Sequence, residues 1–244
     1  MHNKKFKSLY IDLSNFIVTI FGGGVVGTRR AKYFLESGSR VRVVAKEFTD
    51  ELKNMKEKIE LIKVDLKTNK NMLERLISSS DIIVIATNDQ ELNNLINNIA
   101  RLKGKLVNNA AEATKGNLIV PFSGEVYNGL LKFSITSMGL AGVAARKARD
   151  KILELLHNDK ELKTLSISMF LIKKALKICV KDPKLRLSMY FVVESSRNYA
   201  DAISEGNLKK SIEASIQVVE TILGAEAASC VRDVIETAKI NLQT

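Results

Sequence analysis

The chain has 244 residues, 45% hydrophobic and 27% charged, and no apolar stretch approaches the ~18 residues a spanning helix needs. Two cysteines, Cys179 and Cys230, are too few for a disulfide framework, and two histidines, His2 and His157, give neither a zinc spacing nor a well-placed hydrolase triad. The net charge of +11 lies mostly in residues 1–150, with 24 lysines and arginines against 15 acids, which suggests an anionic partner such as a nucleotide or polycarboxylate, or simply a solvated surface of scattered lysines; for nucleic acid neither an aromatic stacking surface nor a motif is present.

Residues 1–16 carry charge but no apolar run ending in small residues, so the expectation is no cleaved leader, no membrane anchor and a cytoplasmic location. FIVTIF (16–21) is the continuous apolar run of a buried parallel strand. GGGVVG follows, and then a helix whose apolar face holds Gly27, Ala31, Phe34 and Leu35, ending at Gly38. RVRVVA (40–45), IELIKVD (59–65), DIIVIAT (81–87) and KLVNNA (105–110) predict four more strands, with helices over 71–79 and 89–103. Alternating strand and helix predicts an α/β fold with a Rossmann-type parallel sheet. Beyond Ala110, NLIVPF (117–122) and LLKFSIT (130–136), joined by SGEVYNG, predict a hairpin leading into a helix at 141–156. After a polar break at 157–163 the chain reads helical over 164–181, 184–204 and 207–240. This predicts a nucleotide-binding domain over 1–112, a hairpin and helix region over 113–156, and an all-helical domain over 157–244.

Gly22-x-Gly24-x-x-Gly27 between a strand and a helix is the context in which that spacing binds a dinucleotide. The first glycine allows the tight turn, the second lets backbone approach a pyrophosphate, and the third lets helix pack on strand. Gly22, Gly23, Gly24, Val25, Val26 and Gly27 are therefore the expected cofactor contacts, with N–H groups at the helix start facing the anion. A Walker loop is excluded, because Thr28-Arg29 follow Gly27 where Lys-Ser/Thr would be needed. The usual ribose-binding acid at the end of the second strand is replaced by Ala45. Either Glu47 substitutes or backbone at Lys46 and Glu47 holds the ribose. The position does not decide between NAD and NADP, although no arginine follows to favour NADP. Thr87, Asn88 and Asp89 stand at the end of a buried strand, where they either line the ligand crevice, cap the next helix, or do both.

GGGVVGTRRA, RVVAKEF, IVIATNDQELN, LVNNA and FSITSMGLAGVAARKARDKI, in this order over about residues 8–156, resemble the precorrin-2 dehydrogenase family, which includes the dehydrogenase/ferrochelatase part of siroheme synthases. The resemblance implies NAD-dependent oxidation of precorrin-2 to sirohydrochlorin by a homodimer with a small dimerisation region after the Rossmann unit. It places Val25, Val26, Lys46 and Glu47 at NAD contacts. Two positions depart from the family: Ala111 replaces the aspartate favoured as acid/base, with Glu112 just after it, and Ala141-Gly142 replace a serine and proline. Metal insertion is the activity these departures put in question. Glu112 is the remaining candidate base, if the chain turns after the strand. Asn108, Asn109, the Ser137–Gly142 loop with Ser137 and Gly139, and Arg146 and Arg149 are the expected contacts to a polycarboxylate. The alternative is a non-catalytic NAD- or tetrapyrrole-binding protein of the same fold.

Overall fold

A computed structural model describes residues 5–240. They form two compact units, the first running to Val120 and including Thr136–Gly142, the second comprising Pro121–Ile135 and the chain from Val143. In the first unit, five parallel strands, β1 (Ile17–Phe21), β2 (Arg40–Ala45), β3 (Glu60–Lys63), β4 (Ile82–Ile85) and β5 (Leu106–Asn109), lie in the order β3-β2-β1-β4-β5. The order reverses between β1 and β4, and a ligand crevice opens at the carboxyl ends of strands flanking such a reversal. Successive side chains of a strand face opposite ways. Phe21, Ile83, Ile85 and Val107 therefore pack on one face against Leu73 and Ile77 of α3 (Lys70–Ser78) and Ile96 of α4 (Gln90–Leu102). On the other face Val18, Ile20, Val43, Ile82 and Val84 meet Ala31 and Phe34 of α1 (Val25–Glu36) and Leu52 of α2 (Asp50–Asn54). Burial of each such large side chain contributes about 1.5–3 kcal/mol.

The expected strand at 117–122 is not one. Residues 117–121 lie outside any strand, and the hairpin is β6 (Phe122–Val126) with β7 (Leu131–Ile135), so most of the supposed turn SGEVYNG is strand. The actual turn is set by Tyr127, Asn128 and Gly129, all at positive φ. Asn117 instead covers the open edge of β5: its Oδ1 accepts the Val107 N–H at 2.6 Å, its Nδ2 donates to the Lys105 carbonyl at 3.2 Å, and its own N–H donates to the Val107 carbonyl at 2.9 Å.

In the second unit Tyr127 OH donates to the Leu156 carbonyl, joining the hairpin to α5 (Gly142–Asn158). The remaining helices are α6 (Lys160–Cys179), α7 (Pro183–Ser195), α8 (Arg197–Ser204), α9 (Leu208–Leu223) and α10 (Ala225–Ile240), packed around Leu171, Leu176, Val193, Tyr199, Val219 and Val231. The helices expected over 184–204 and 207–240 are each two. Ser196, extended at φ −69° and ψ 128°, ends α7 and precedes α8, and Gly224 at φ +88° ends α9. Glycine reaches that region without a Cβ penalty. The two cysteines, 51 residues apart, form a disulfide between α6 and α10, with Cα atoms 5.9 Å apart. Two cysteines make no framework, yet the packing of α10 against α6 brings them within bonding reach. Among the described residues no helix is long and apolar enough to cross a membrane.

Candidate functional site

β1 feeds directly into the glycine-rich turn. The Gly22 N–H donates to the Val44 carbonyl at 2.9 Å and the Ala86 N–H to the Phe21 carbonyl at 2.8 Å, fixing the turn between the ends of β2 and β4. Gly22 has φ +123°, and a Cβ there would stand 2.2 Å from the Ala86 carbonyl oxygen. A Cβ on Gly27 would stand 1.9 Å from the Gly22 oxygen, so both positions require glycine for close approach of backbone. Gly24 differs. Its φ is an ordinary −85°, and a Cβ would meet nothing within 4 Å. It caps α1 with no side-chain hydrogen bond and no acid in the first turn. The leading N–H groups of α1 thus open onto free space at the positive end of the helix dipole.

That space is a cleft of about 990 Å³ lined by Gly22–Val26, the ends of β2 and β3 (Val44–Lys46 and Val64–Lys67) and the segment Ala86–Leu92 after β4. Vacant room at Gly24, exposed Val25 and Val26, and unfilled helix N–H groups together fit a diphosphate-bearing nucleotide. Four of the five charged side chains of the lining are paired, Glu91 being the exception. Lys46 Nζ lies 2.7 Å from Asp65 Oδ2, and Lys67 Nζ lies 2.5 Å from Asp89 Oδ2. The Lys46 ammonium, and after it the Lys67 N–H, hold the Asp65 carboxyl below its ordinary value. Lys67, and after it the Leu92 N–H, do the same for Asp89, which in turn raises Lys67. All three charges hold at neutral pH.

Of the sequence-predicted cofactor contacts, Gly22, Gly23, Gly24, Val25, Val26, Lys46, Thr87 and Asn88 line the cleft. Gly27 is buried behind the turn and Glu47 is exposed outside the lining, its carbonyl packed toward Gly23. Asp89 both caps α4, accepting from the Leu92 N–H at 3.1 Å, and lines the cleft. Thr87 Oγ1 accepts the Asp89 N–H at 3.1 Å and donates to Asn93 Oδ1. Sequence reasoning missed Asp65 and Lys67. The signal available was their place just past the carboxyl end of a parallel strand.

The chain turns after β5, with the Lys115 N–H donating to the Glu112 carbonyl at 2.9 Å. The Glu112 carboxylate stands 2.8 Å from Lys115 Nζ and 3.5 Å from Nε2 of Gln90, a cleft residue. Asn109 is buried and accepts the Glu112 N–H at 2.8 Å, and Asn108 is buried and donates to the Leu118 carbonyl at 3.1 Å. Ser137 Oγ accepts the Ala141 N–H at 2.9 Å, and Gly139 at φ +87° has room for no Cβ beside Ala113. Arg146 and Arg149 belong to the second unit. Arg146 is exposed, while Arg149 contacts Asp150 at 2.6 Å and the Ser123 carbonyl at 3.1 Å.

A family model described as "Putative NAD(P)-binding" matches residues 9–122. A "Putative precorrin-2 dehydrogenase" of Methanocaldococcus jannaschii is 37% identical over 136 residues, 54% of this chain and 65% of its own length. A "Precorrin-2 dehydrogenase" of Methanosarcina barkeri is 34% identical over 60% of this chain and 65% of its own. A "Siroheme synthase" of Mannheimia succiniciproducens is 26% identical over 61% of this chain but only 30% of its own. This chain thus spans just under two thirds of the length of the first two relatives and under a third of the last. The solved structure of "SirC, precorrin-2 dehydrogenase" superposes with a TM-score of 0.62 at 21% identity, covering 88% of this chain and 100% of the other, and so shares the fold. Residues 9–122 thus match an NAD(P)-binding family model, somewhat more than half of the chain is similar to proteins named precorrin-2 dehydrogenase and siroheme synthase, and the chain shares its fold with one precorrin-2 dehydrogenase.

Proposed function

We propose that the protein is an NAD-dependent dehydrogenase that oxidises precorrin-2 to sirohydrochlorin. The observation that carries this reading is the uncapped start of α1 at Gly24, opening onto the cleft at the strand-order reversal. Bound there, NAD supplies the hydride acceptor. The chain's own groups then do three things. Backbone N–H groups of the turn hold the diphosphate, Lys46 borders the ribose, and Thr87 and Asn88 face the nicotinamide side. Asn108, Asn109, Ser137 and Gly139 provide amide, hydroxyl and backbone groups suited to a polycarboxylate substrate. Glu112, on the turn after β5, takes the proton released as the hydride leaves. Ala111 and Ala141 offer no acid and no hydroxyl, and metal insertion lies outside the proposed activity.

The relatives named precorrin-2 dehydrogenase support the choice of substrate. On this reading the protein works in the cytoplasm as a homodimer. Incubating the chain with precorrin-2 and NAD, and following NADH and sirohydrochlorin absorbance together, tests it. Turnover is the expected result, and a chain that binds NAD without forming NADH is instead a binding protein of the same fold. Glu112→Gln should lower kcat by about 10²-fold, the lower end for a lost general base, with NAD affinity unchanged by calorimetry. An unaltered kcat removes Glu112 from the reaction.

A further inference from the structure

We propose that Asp65 accepts the 2′-hydroxyl of the adenine-side ribose and, by holding Lys46, turns away nucleotides that carry a 2′-phosphate. The inference rests on the reading of the cleft as an NAD site and adds the residue that sets its specificity. An acid at the end of the second strand ordinarily makes this bond. Here β2 ends in Ala45, and the Glu47 side chain is exposed outside the cleft. A carboxylate reaches the same place from the neighbouring strand. β3 ends at Lys63, in register with Ala45, and the Val64 N–H continues the ladder by donating to the Ala45 carbonyl at 3.0 Å. Asp65 follows immediately and lines the cleft beside Ala45 and Lys46.

Its carboxylate is oriented from two sides. Oδ2 faces Lys46 Nζ at 2.7 Å, and Oδ1 accepts the Lys67 N–H at 3.0 Å. An ionised carboxylate has about four acceptor sites, so two stay open to a sugar hydroxyl. The charge of the cleft points the same way. Both lysines in the lining are paired with carboxylates, and Glu91 adds a third acid, so its side chains carry one more negative than positive charge in a chain of net +11. A 2′-phosphate would bring its charge against Asp65 and would find each cleft lysine already engaged.

Titrating NAD, NADP and 2′-deoxy-NAD into the full chain by calorimetry tests the assignment. The wild-type chain should bind NAD about tenfold or more tighter than either analogue, the scale of one hydrogen bond to a charged group. In Asp65→Asn the carboxamide can still accept the Lys67 N–H, so the loop is retained while Lys46 is released. NAD should weaken, NADP should strengthen, and the difference between NAD and 2′-deoxy-NAD should vanish. Asp65→Glu should keep part of the preference. An Asp65→Asn chain with the wild-type NAD/NADP ratio overturns the role of Asp65 and leaves the NAD site standing. So does a wild-type chain that binds 2′-deoxy-NAD as tightly as NAD. Failure of the wild-type chain to bind any of the three overturns this inference and the cofactor reading together.

Discussion

Gly24 separates two requirements that normally coincide at a helix start. Aspartate is among the best residues for capping a helix, and the open space and ordinary φ at Gly24 would accept its side chain. The same carboxylate would occupy the anion position and repel a diphosphate. Gly24→Asp should therefore melt no lower than wild type while losing NAD affinity by about 10²-fold or more, the scale of a charge repulsion added to lost N–H contacts. Thermal melting and calorimetry measured together read the two effects apart, and unchanged affinity would remove the nucleotide from this position. Gly22 and Gly27 could not serve in this test, because a Cβ at either meets a carbonyl oxygen and the fold itself would give way. The glycine spacing made these residues legible in the sequence. For Asp65 and Lys67 the sequence carried only their place just past a strand, because their contribution depends on β3 lying beside β2, and neighbouring strands in a parallel sheet are not marked by a local motif.

Among the elements, the Cys179–Cys230 bridge ties the end of α6 to α10 across a span of 51 residues. By the chain-entropy model a loop of that length stabilises the folded state by about 4 kcal/mol. Reduction, or Cys179→Ser with Cys230→Ser, should lower urea-unfolding stability of the helical unit by 2–4 kcal/mol (roughly, allowing for strain), and an unchanged midpoint would show that helix packing suffices alone. The bridge was illegible because pairing follows from how the five helices α6–α10 pack, which periodicity does not encode. The first four strands and their helices were legible for the opposite reason. Runs such as IVTIF and IIVI are buried on both faces and carry their own signature. The stretch 117–122 has the same apolar texture but covers a strand edge through the Asn117 side chain, so texture alone placed the hairpin too early. Ser196 and Gly224 were visible as residues, yet each lies inside a run of helix-favouring neighbours. Their extended and positive-φ conformations end α7 and α9.

At the scale of the whole molecule, the surface of α5 is the feature that bears on assembly. Ala145 is its one buried residue, while Val143 and Leu155 are each about two thirds exposed. A helix of this length is seldom left so bare in a monomer, because its stability comes chiefly from packing an apolar face. Light scattering should give twice the chain mass, and Leu155→Glu should shift it toward the single chain with the far-ultraviolet circular dichroism preserved. A monomeric wild type would remove the homodimer from the proposed function. The amide of Asn117 has a different bearing on molecules meeting in solution. A five-stranded sheet ends in an outer strand, and the peptide groups of such a strand recruit strands from other molecules. Here those of Lys105 and Val107 are already taken by one side chain and its backbone. Along β5 few peptide groups thus remain unclaimed for a passing chain, so on that side of the sheet the amide of one asparagine and the backbone beside it stand in the way of strand-to-strand stacking between molecules.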